Sequence, residues 1–362
     1  MITKKICLIG NSGGKRETFD GQTLKVRLYK DIFDSENIPF VFVDLYKFSR
    51  NLPRILFRIW RSIKESSVVL LMAGANGCRK LLPLINFINR DRKRTIVVSM
   101  IGRGVLAISL DKKHIDSNKF FLDNDFGSFS DDRMKKNLEK VDHIVLETDL
   151  LTNGYARFFR LTNCQTLYNF RKSEPNVDRY YHRGKKLRLI FLSRIRRDKG
   201  IFDIIEAVQS LSNSYEVALD IFGELELSDA DKLVFINSAV GPICYKGKIS
   251  NSEVVRTIAE YDYFVFPTHC SEGMPGVLIE SLLAGTPIIS SRFTQSKDIL
   301  AEGEDSLLFN SGDVEELKRI LVKLVKDRSI RDAMARCATI NSLVYSFSYN
   351  KNKLFSLLGI IE

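Results

Sequence analysis

Short apolar runs punctuate this chain at intervals that leave room for a helix between them. In the first half they read as strands at residues 5–9, 39–43, 68–72, 95–100, 143–147 and 165–168. In the second half the matching runs are 187–192, 218–222, 263–266 and 287–290. Between them lie stretches with apolar residues three and four apart, at 23–35, 49–65, from Ile201 onward, 313–326, 331–338 and 349–358. Runs apolar on both faces, alternating with amphipathic helices, predict parallel sheets covered on both sides, an α/β fold of doubly wound type. The polar, proline-containing segment 172–186 interrupts this rhythm and marks a boundary, so two domains are expected, 1–171 and 172–344.

The most informative stretch is 262–290. Its apolar run stops at Pro267, which cannot continue a central ladder. A polar turn from Thr268 to Gly273 follows, then Pro275 and Gly276 open a helix that Gly285 closes. Strand, turn, helix and strand make a βαβ unit, which puts the turn at the carboxyl edge of the sheet, where open α/β sheets bind ligands. Gly273 and Gly276 permit close backbone approach, and the helix start offers N–H groups to an anion. Glu272 and Glu280 flank that anion site. Read as helix, their separation is roughly 12 Å, outside the ~5–9.5 Å of a glycoside hydrolase pair. They suit two ends of one elongated ligand, with a sugar, a diphosphate and a ribose in line.

A second anion signal lies in Ser193-Arg-Ile-Arg-Arg-Asp-Lys-Gly200, where Arg194 and Lys199 stand between a strand end and a helix start. The first strand leads into Gly10-Asn-Ser-Gly-Gly14, a turn of the kind that approaches phosphates but not G-x-G-x-x-G. Asp44, ending the second strand, is a weak candidate for a cofactor ribose. The aspartates of Asp123-Asn-Asp125 and Asp229-Ala-Asp231 read as solvated turn and helix carboxylates, and no metal is expected.

These residues carry a resemblance. Glu272-Gly-Met-Pro-Gly-(x)3-Glu280, with Pro267 before it and Ala284-Gly-Thr-Pro-Ile-Ile289 after it, resembles the E-x7-E motif of retaining GT-B glycosyltransferases, family 4. Residues 193–200 are similar to that family's G-R-x(3-4)-K-G pattern, with Ser193 in place of the usual glycine. The resemblance implies two Rossmann-like doubly wound domains facing a central cleft, the first completed by the C-terminal helix 345–362. It implies transfer of a sugar from a UDP- or GDP-linked donor, without metal, to a lipid-diphosphate-linked glycan acceptor in bacterial surface polysaccharide synthesis. Glu272, Arg194 and Lys199 take the catalytic roles. The donor is expected against Gly13, Gly14, Gly223, Lys248, Ile249, Gly273, Met274, Pro275, Gly276 and Glu280, with Gln22 less firmly, and His269 lies nearby. On the acceptor side many members carry a histidine, whereas this chain has Gly102, Arg103 and Gly104.

Composition narrows the setting. Hydrophobic residues at 44% and charged residues at 27% are those of a globular protein. No apolar run approaches a membrane span or a signal peptide, and the six cysteines have no C-x-x-C spacing, which suits reduced thiols in a cytoplasm. The net charge of +11 calls for an anionic partner. Arg50, Arg54, Arg58, Arg61 and Lys64 line one face of the helix 49–65, while Leu52, Ile55, Leu56, Ile59, Ile63 and Trp60 supply its apolar side. Two readings stand: docking on an anionic membrane, favoured by a second basic cluster at 90–94, or a solvated face of a packed helix. The rival functions are a catalytically silent GT-B scaffold and a basic nucleic-acid-binding protein. The absence of an RNP-like aromatic run or zinc spacing argues against nucleic acid.

Overall fold

The computed structural model describes residues 4–14, 21–46, 52–100, 132–173, 175, 184–270, 272–293 and 296–360. The chain divides into two compact units, Met1–Asn169 with Asn350–Glu362, and Phe170–Tyr349.

In the first unit the order is β1 (Ile6–Gly10), α1 (Gly21–Ser35), β2 (Phe40–Asp44), α2 (Leu52–Lys64), β3 (Val68–Ala73) and α3 (Ala75–Ile88). There follow β4 (Thr95–Met100), α4 (Asp132–Leu138), β5 (His143–Leu146), α5 (Asp149–Phe159) and β6 (Cys164–Thr166). The strands form one parallel sheet in the order β2-β1-β3-β4-β5-β6. Strands β1 and β3 are buried along their whole length, which is why both read as unbroken apolar runs. Connections diverge between these two strands, so the carboxyl end of β1 is this sheet's ligand-binding position.

Helix α2 packs on the sheet through Ile55, Ile59 and Ile63, spaced four apart. Leu52 and Trp60, expected on that apolar side, are exposed instead. Residue 60 follows a buried position directly, and one residue of helix turns it about 100° away from the packed stripe. Trp60 stacks on the exposed Phe57, with ring centroids 6.1 Å apart. Phe87 of α3 is exposed as well, and the Arg90 guanidinium lies 5.5 Å from its ring centre. The helix surface therefore mixes aromatic rings with Arg54, Arg58, Arg61 and Lys64. Arg50 lies outside the described residues.

An ion pair runs through the interior of this unit. Lys25 of α1 and Glu147, just past β5, meet at 3.0 Å with side chains 3% and 5% exposed. Burial, and then the Glu147 charge, push the phenol of neighbouring Tyr29 well above its ordinary pKa.

The second unit begins with β7 (Leu187–Leu192), a 3-10 turn at Arg197–Lys199, α6 (Ile201–Leu211), β8 (Val217–Phe222), α7 (Asp229–Ser238) and β9 (Ile243–Gly247). It continues through α8 (Val254–Ile258), β10 (Tyr263–Phe266), α9 (Gly276–Leu283), β11 (Ile288–Ser291), α10 (Ser296–Ile299) and β12 (Ser306–Phe309). Helices α11 (Val314–Lys326), α12 (Ser329–Asn341) and α13 (Phe347–Leu357) close the chain; from Asn350 onward α13 belongs to the first unit, where Lys351 pairs with Glu36 at 2.6 Å. Its parallel sheet has the order β12-β11-β10-β7-β8-β9, the 3-2-1-4-5-6 arrangement of dinucleotide-binding folds counted from β7. At the amino end of β10, buried Asp262 receives Arg331 at 2.5 Å, Arg328 at 3.1 Å and the Arg188 backbone N–H at 2.8 Å. Those bonds anchor α12 to the edge of the sheet away from the loops described next.

Candidate functional site

Strands β7 and β10 lie side by side where the order of the second sheet reverses, with Tyr263 opposite Leu189 and Phe264 opposite Ile190. The chain leaving β7, β8 and β10 must therefore share one small region, and two glycines make that possible. A Cβ on Gly200 (φ 69°) would come within 1.8 Å of the Pro267 carbonyl oxygen. A Cβ on Gly223 (φ 140°) would come within 1.7 Å of the Ser193 carbonyl oxygen. Backbone bonds then tie the loops together: the His269 N–H donates to the Asp198 carbonyl at 2.9 Å, and the Gly223 N–H to that of Gly247 at 2.8 Å. The Tyr245 hydroxyl donates to the Gly223 carbonyl at 2.9 Å.

This packing brings Lys199 and Glu272 into an ion pair, with side chains 13% and 18% exposed. Lys199 ends the 3-10 turn that leads into α6, and Glu272 lies between β10 and α9. The Thr268 hydroxyl donates to the same Glu272 oxygen at 3.2 Å, so the carboxylate is fixed from two sides. Arg194 lies apart from this pair in its bonding: it is exposed and faces Glu226 at 3.5 Å. His269 bonds Asp203 at 2.6 Å.

Asp198 organises the turn. It binds Arg196 through two hydrogen bonds and accepts one from the Cys270 thiol at 3.0 Å. Burial alone would raise its carboxyl, but the Arg196 and Cys270 bonds together hold it below the usual carboxylate range. Burial, and then the bond to Asp198, push the Cys270 thiol up.

Past Glu272 the chain is not yet helical. Pro275 takes an extended conformation (φ −63°, ψ 123°) and α9 begins at Gly276. The two glutamates thus do not span one continuous helix, as their spacing suggested: four non-helical residues precede the first turn, because a proline before Gly276 disfavours helix at position 274. Met274 is buried, while Gly273 and Pro275 are half-buried. Glu280 stands on the second turn of α9, held by the Arg171 guanidinium at 2.7 Å. Sequence reasoning missed Arg171. Lys248 pairs with Glu224 at 2.7 Å on an exposed surface, and Ile249 beside it is half-buried.

In the first unit Gly13 (φ 74°) and Gly14 (φ 62°) form consecutive left-handed residues after β1. Asp44 holds this loop, accepting the Ser12 N–H at 3.1 Å, the Ser12 hydroxyl, and the Tyr46 N–H at 2.9 Å. Its acceptor oxygens thus serve the protein's own backbone. Arg27 adds a bond to the Ser12 carbonyl at 3.0 Å, and Gln22 lies on the first turn of α1. Gly102, Arg103, Gly104, Asp123 and Asp125 lie outside the described residues. Asp229 and Asp231 sit in the first turn of α7, paired with Lys232 and Arg197. Among the described residues no three His, Cys, Asp or Glu side chains gather where they could hold a metal ion, and no helix is long and apolar enough to cross a membrane.

Chemically, the second unit holds Lys199 against Glu272 just before α9 and Arg171 against Glu280 on α9, two carboxylates able to accept hydroxyl hydrogens. Residues 173–339 match the family described as glycosyl transferases group 1. The capsular polysaccharide biosynthesis glycosyltransferase CapM of Staphylococcus aureus is 26% identical over 54% of this chain and 53% of its own length. The chain thus spans about half of that relative. An uncharacterised glycosyltransferase of Methanocaldococcus jannaschii is 22% identical over 73% of this chain and 67% of its own. In structure the chain is similar to Anabaena HepE, solved in complex with UDP, with a TM-score of 0.72, 12% identity, and 99% and 100% of the two chains covered. Residues 173–339 are thus similar to the glycosyl transferases group 1, and the chain's fold is that of the GT-B glycosyltransferases.

Proposed function

We propose that this protein is a retaining, metal-independent glycosyltransferase that moves a sugar from a nucleoside diphosphate sugar to a lipid-diphosphate-linked glycan. The observation that carries the reading is the Lys199–Glu272 pair at the point where the second sheet reverses. A cation and an acid are there held within reach of one ligand. On this reading the bond between the anomeric carbon and the diphosphate breaks, and Lys199, Arg194 and the amides around Gly273 and Met274 receive the charge left on the phosphate. The acceptor hydroxyl oxygen bonds the anomeric carbon on the same face, and its proton passes to the departing phosphate oxygen. Glu272 orients the sugar hydroxyls and Glu280 holds those of the ribose.

Support for the donor class comes from HepE, whose structures hold UDP, glucose and UDP-glucose. Support for the pathway class comes from relatives such as CapM and the lipopolysaccharide core glycosyltransferase LpsE of Rhizobium meliloti, 29% identical over 40% of this chain. The aromatic and basic surface of α2 favours work at the cytoplasmic face of an anionic membrane, where each basic residue contributes about 1 kcal/mol. The test is thermal stabilisation by a panel of UDP- and GDP-sugars, with and without magnesium, followed by the anomeric configuration of any product. A protein that no nucleoside diphosphate stabilises, or a product with inverted configuration, would refute the proposal.

A further inference from the structure

The family match begins at residue 173, so Arg171 lies just before it, yet its side chain reaches Glu280, at one end of the candidate donor site. Its backbone is fixed at the start of the second unit: its N–H donates to the Tyr345 carbonyl at 3.0 Å, and it bridges to Ser346. Its side chain turns toward α9. The Nε donates to Glu280 Oε1 at 2.7 Å and Nη1 to the Phe170 carbonyl at 3.1 Å. The Nη2 lies only 1.7 Å from where a Cβ on residue 276 would stand, so the guanidinium rests directly on the first turn of the helix. Both partners are largely shielded, 18% and 16% exposed.

A guanidinium over a helix N-terminus opposes the helix dipole, so that position is favourable only with negative charge beside it. Glu280 supplies one such charge. The site also has a regularity: each glutamate of the E-x7-E pair has its own cation, Lys199 for Glu272 and Arg171 for Glu280. Two unpartnered carboxylates flanking a diphosphate would repel it. One cation per carboxylate removes that repulsion and fixes where each acceptor oxygen points.

We propose that Arg171 is a positioning residue for the nucleotide end of the donor. It orients the Glu280 carboxylate toward the ribose hydroxyls and offsets its charge against the adjacent diphosphate. This role rests on the donor-site reading above and adds to it a residue that the family motif does not contain.

The experiment compares the full-length wild type with Arg171→Met, Arg171→Gln and Arg171→Lys by calorimetric titration with UDP and GDP, followed by steady-state kinetics with the preferred sugar donor. Arg171→Met and Arg171→Gln are expected to weaken nucleoside diphosphate binding about tenfold or more. They should raise the donor KM with kcat changed by less than about threefold. Arg171→Lys should recover part of the loss, and Glu280→Gln should cost no more when Arg171 is already Met. A folded Met or Gln variant that loses thermal stability but binds UDP and GDP like the wild type would show a linker staple and overturn the role. Tighter binding would overturn it too, by showing that the arginine blocks the site. If wild-type protein binds neither nucleotide, the donor-site reading itself falls and Arg171's role with it, a result distinct from an unchanged variant.

Discussion

The carbonyl oxygen of Pro267 occupies the space that a side chain on residue 200 would need, 1.8 Å from the position of its Cβ. Gly200 is therefore the place where the turn after β7 touches the turn after β10, in a left-handed conformation (φ 69°) that side chains rarely adopt. Lys199 precedes that contact directly and reaches Glu272 across it.

Gly200→Ala should accordingly cost about 1–3 kcal/mol of stability from backbone strain alone, and more from the forced separation of the two turns. The measurement is urea unfolding beside UDP titration. A variant as stable as wild type, with unchanged affinity, would show that the turns have slack.

Lys199→Ala should lower kcat about a hundredfold or more while changing donor KM little, because the ammonium's work is on the charge that develops as the phosphate leaves. Single-turnover kinetics with a saturating sugar donor would check it. An effect confined to KM would move Lys199 from the reacting phosphate to ground-state binding.

In the first unit, Lys25→Met leaves Glu147 buried without its partner and should destabilise the protein by ~3–5 kcal/mol. The double variant Lys25→Met, Glu147→Leu should recover most of that loss. Denaturant titrations of the single and double variants, read as a cycle, decide the matter: equal losses in both would mean the pair itself, and not the orphaned charge, matters.

For Asp198 the sign follows from its depressed pKa. The folded carboxyl gives up its proton at lower pH than the unfolded one, near 3.9. Its contribution is therefore complete above about pH 4 and drains away as pH falls through the folded value. The stability gap between wild type and Asp198→Asn should shrink below pH 4, measured by urea unfolding from pH 6 to pH 3. A gap independent of pH would show that the carboxylate charge contributes nothing.

On α2, Phe57→Ser with Trp60→Ser should reduce co-sedimentation with phosphatidylglycerol vesicles several-fold and leave UDP affinity unaltered. Arg58→Glu with Arg61→Glu should also reduce it, more strongly at low salt than at high, since screening already weakens that term. Full vesicle binding by both double variants would assign the helix face to solvent.

Much of the architecture could be read from residue patterns because the central strands are covered on both faces. Runs such as 68–72, 95–100 and 187–192 have no polar alternation to confuse with anything else. Strand β12 was missed for the opposite reason: it has four residues, begins with a serine, and follows an aspartate. On α2 the buried stripe of Ile55, Ile59 and Ile63 was legible, but Trp60 was placed by its hydrophobicity although its angle sends it outward. Turn chemistry located Lys199 and Glu272 separately. Their partnership spans 73 residues, and that of Arg171 with Glu280 spans 109, distances over which local spacing carries no signal.

The interlocking of the loops after β7, β8 and β10 also constrains how such a protein can be altered. Gly200 and Gly223 press one segment's backbone against the next, so a graft that exchanges a single loop with a relative would meet the old neighbours in the wrong shape. Retargeting toward another substrate would have to transplant the three segments as a set, glycines included, and lineages that diverge in specificity should change them together.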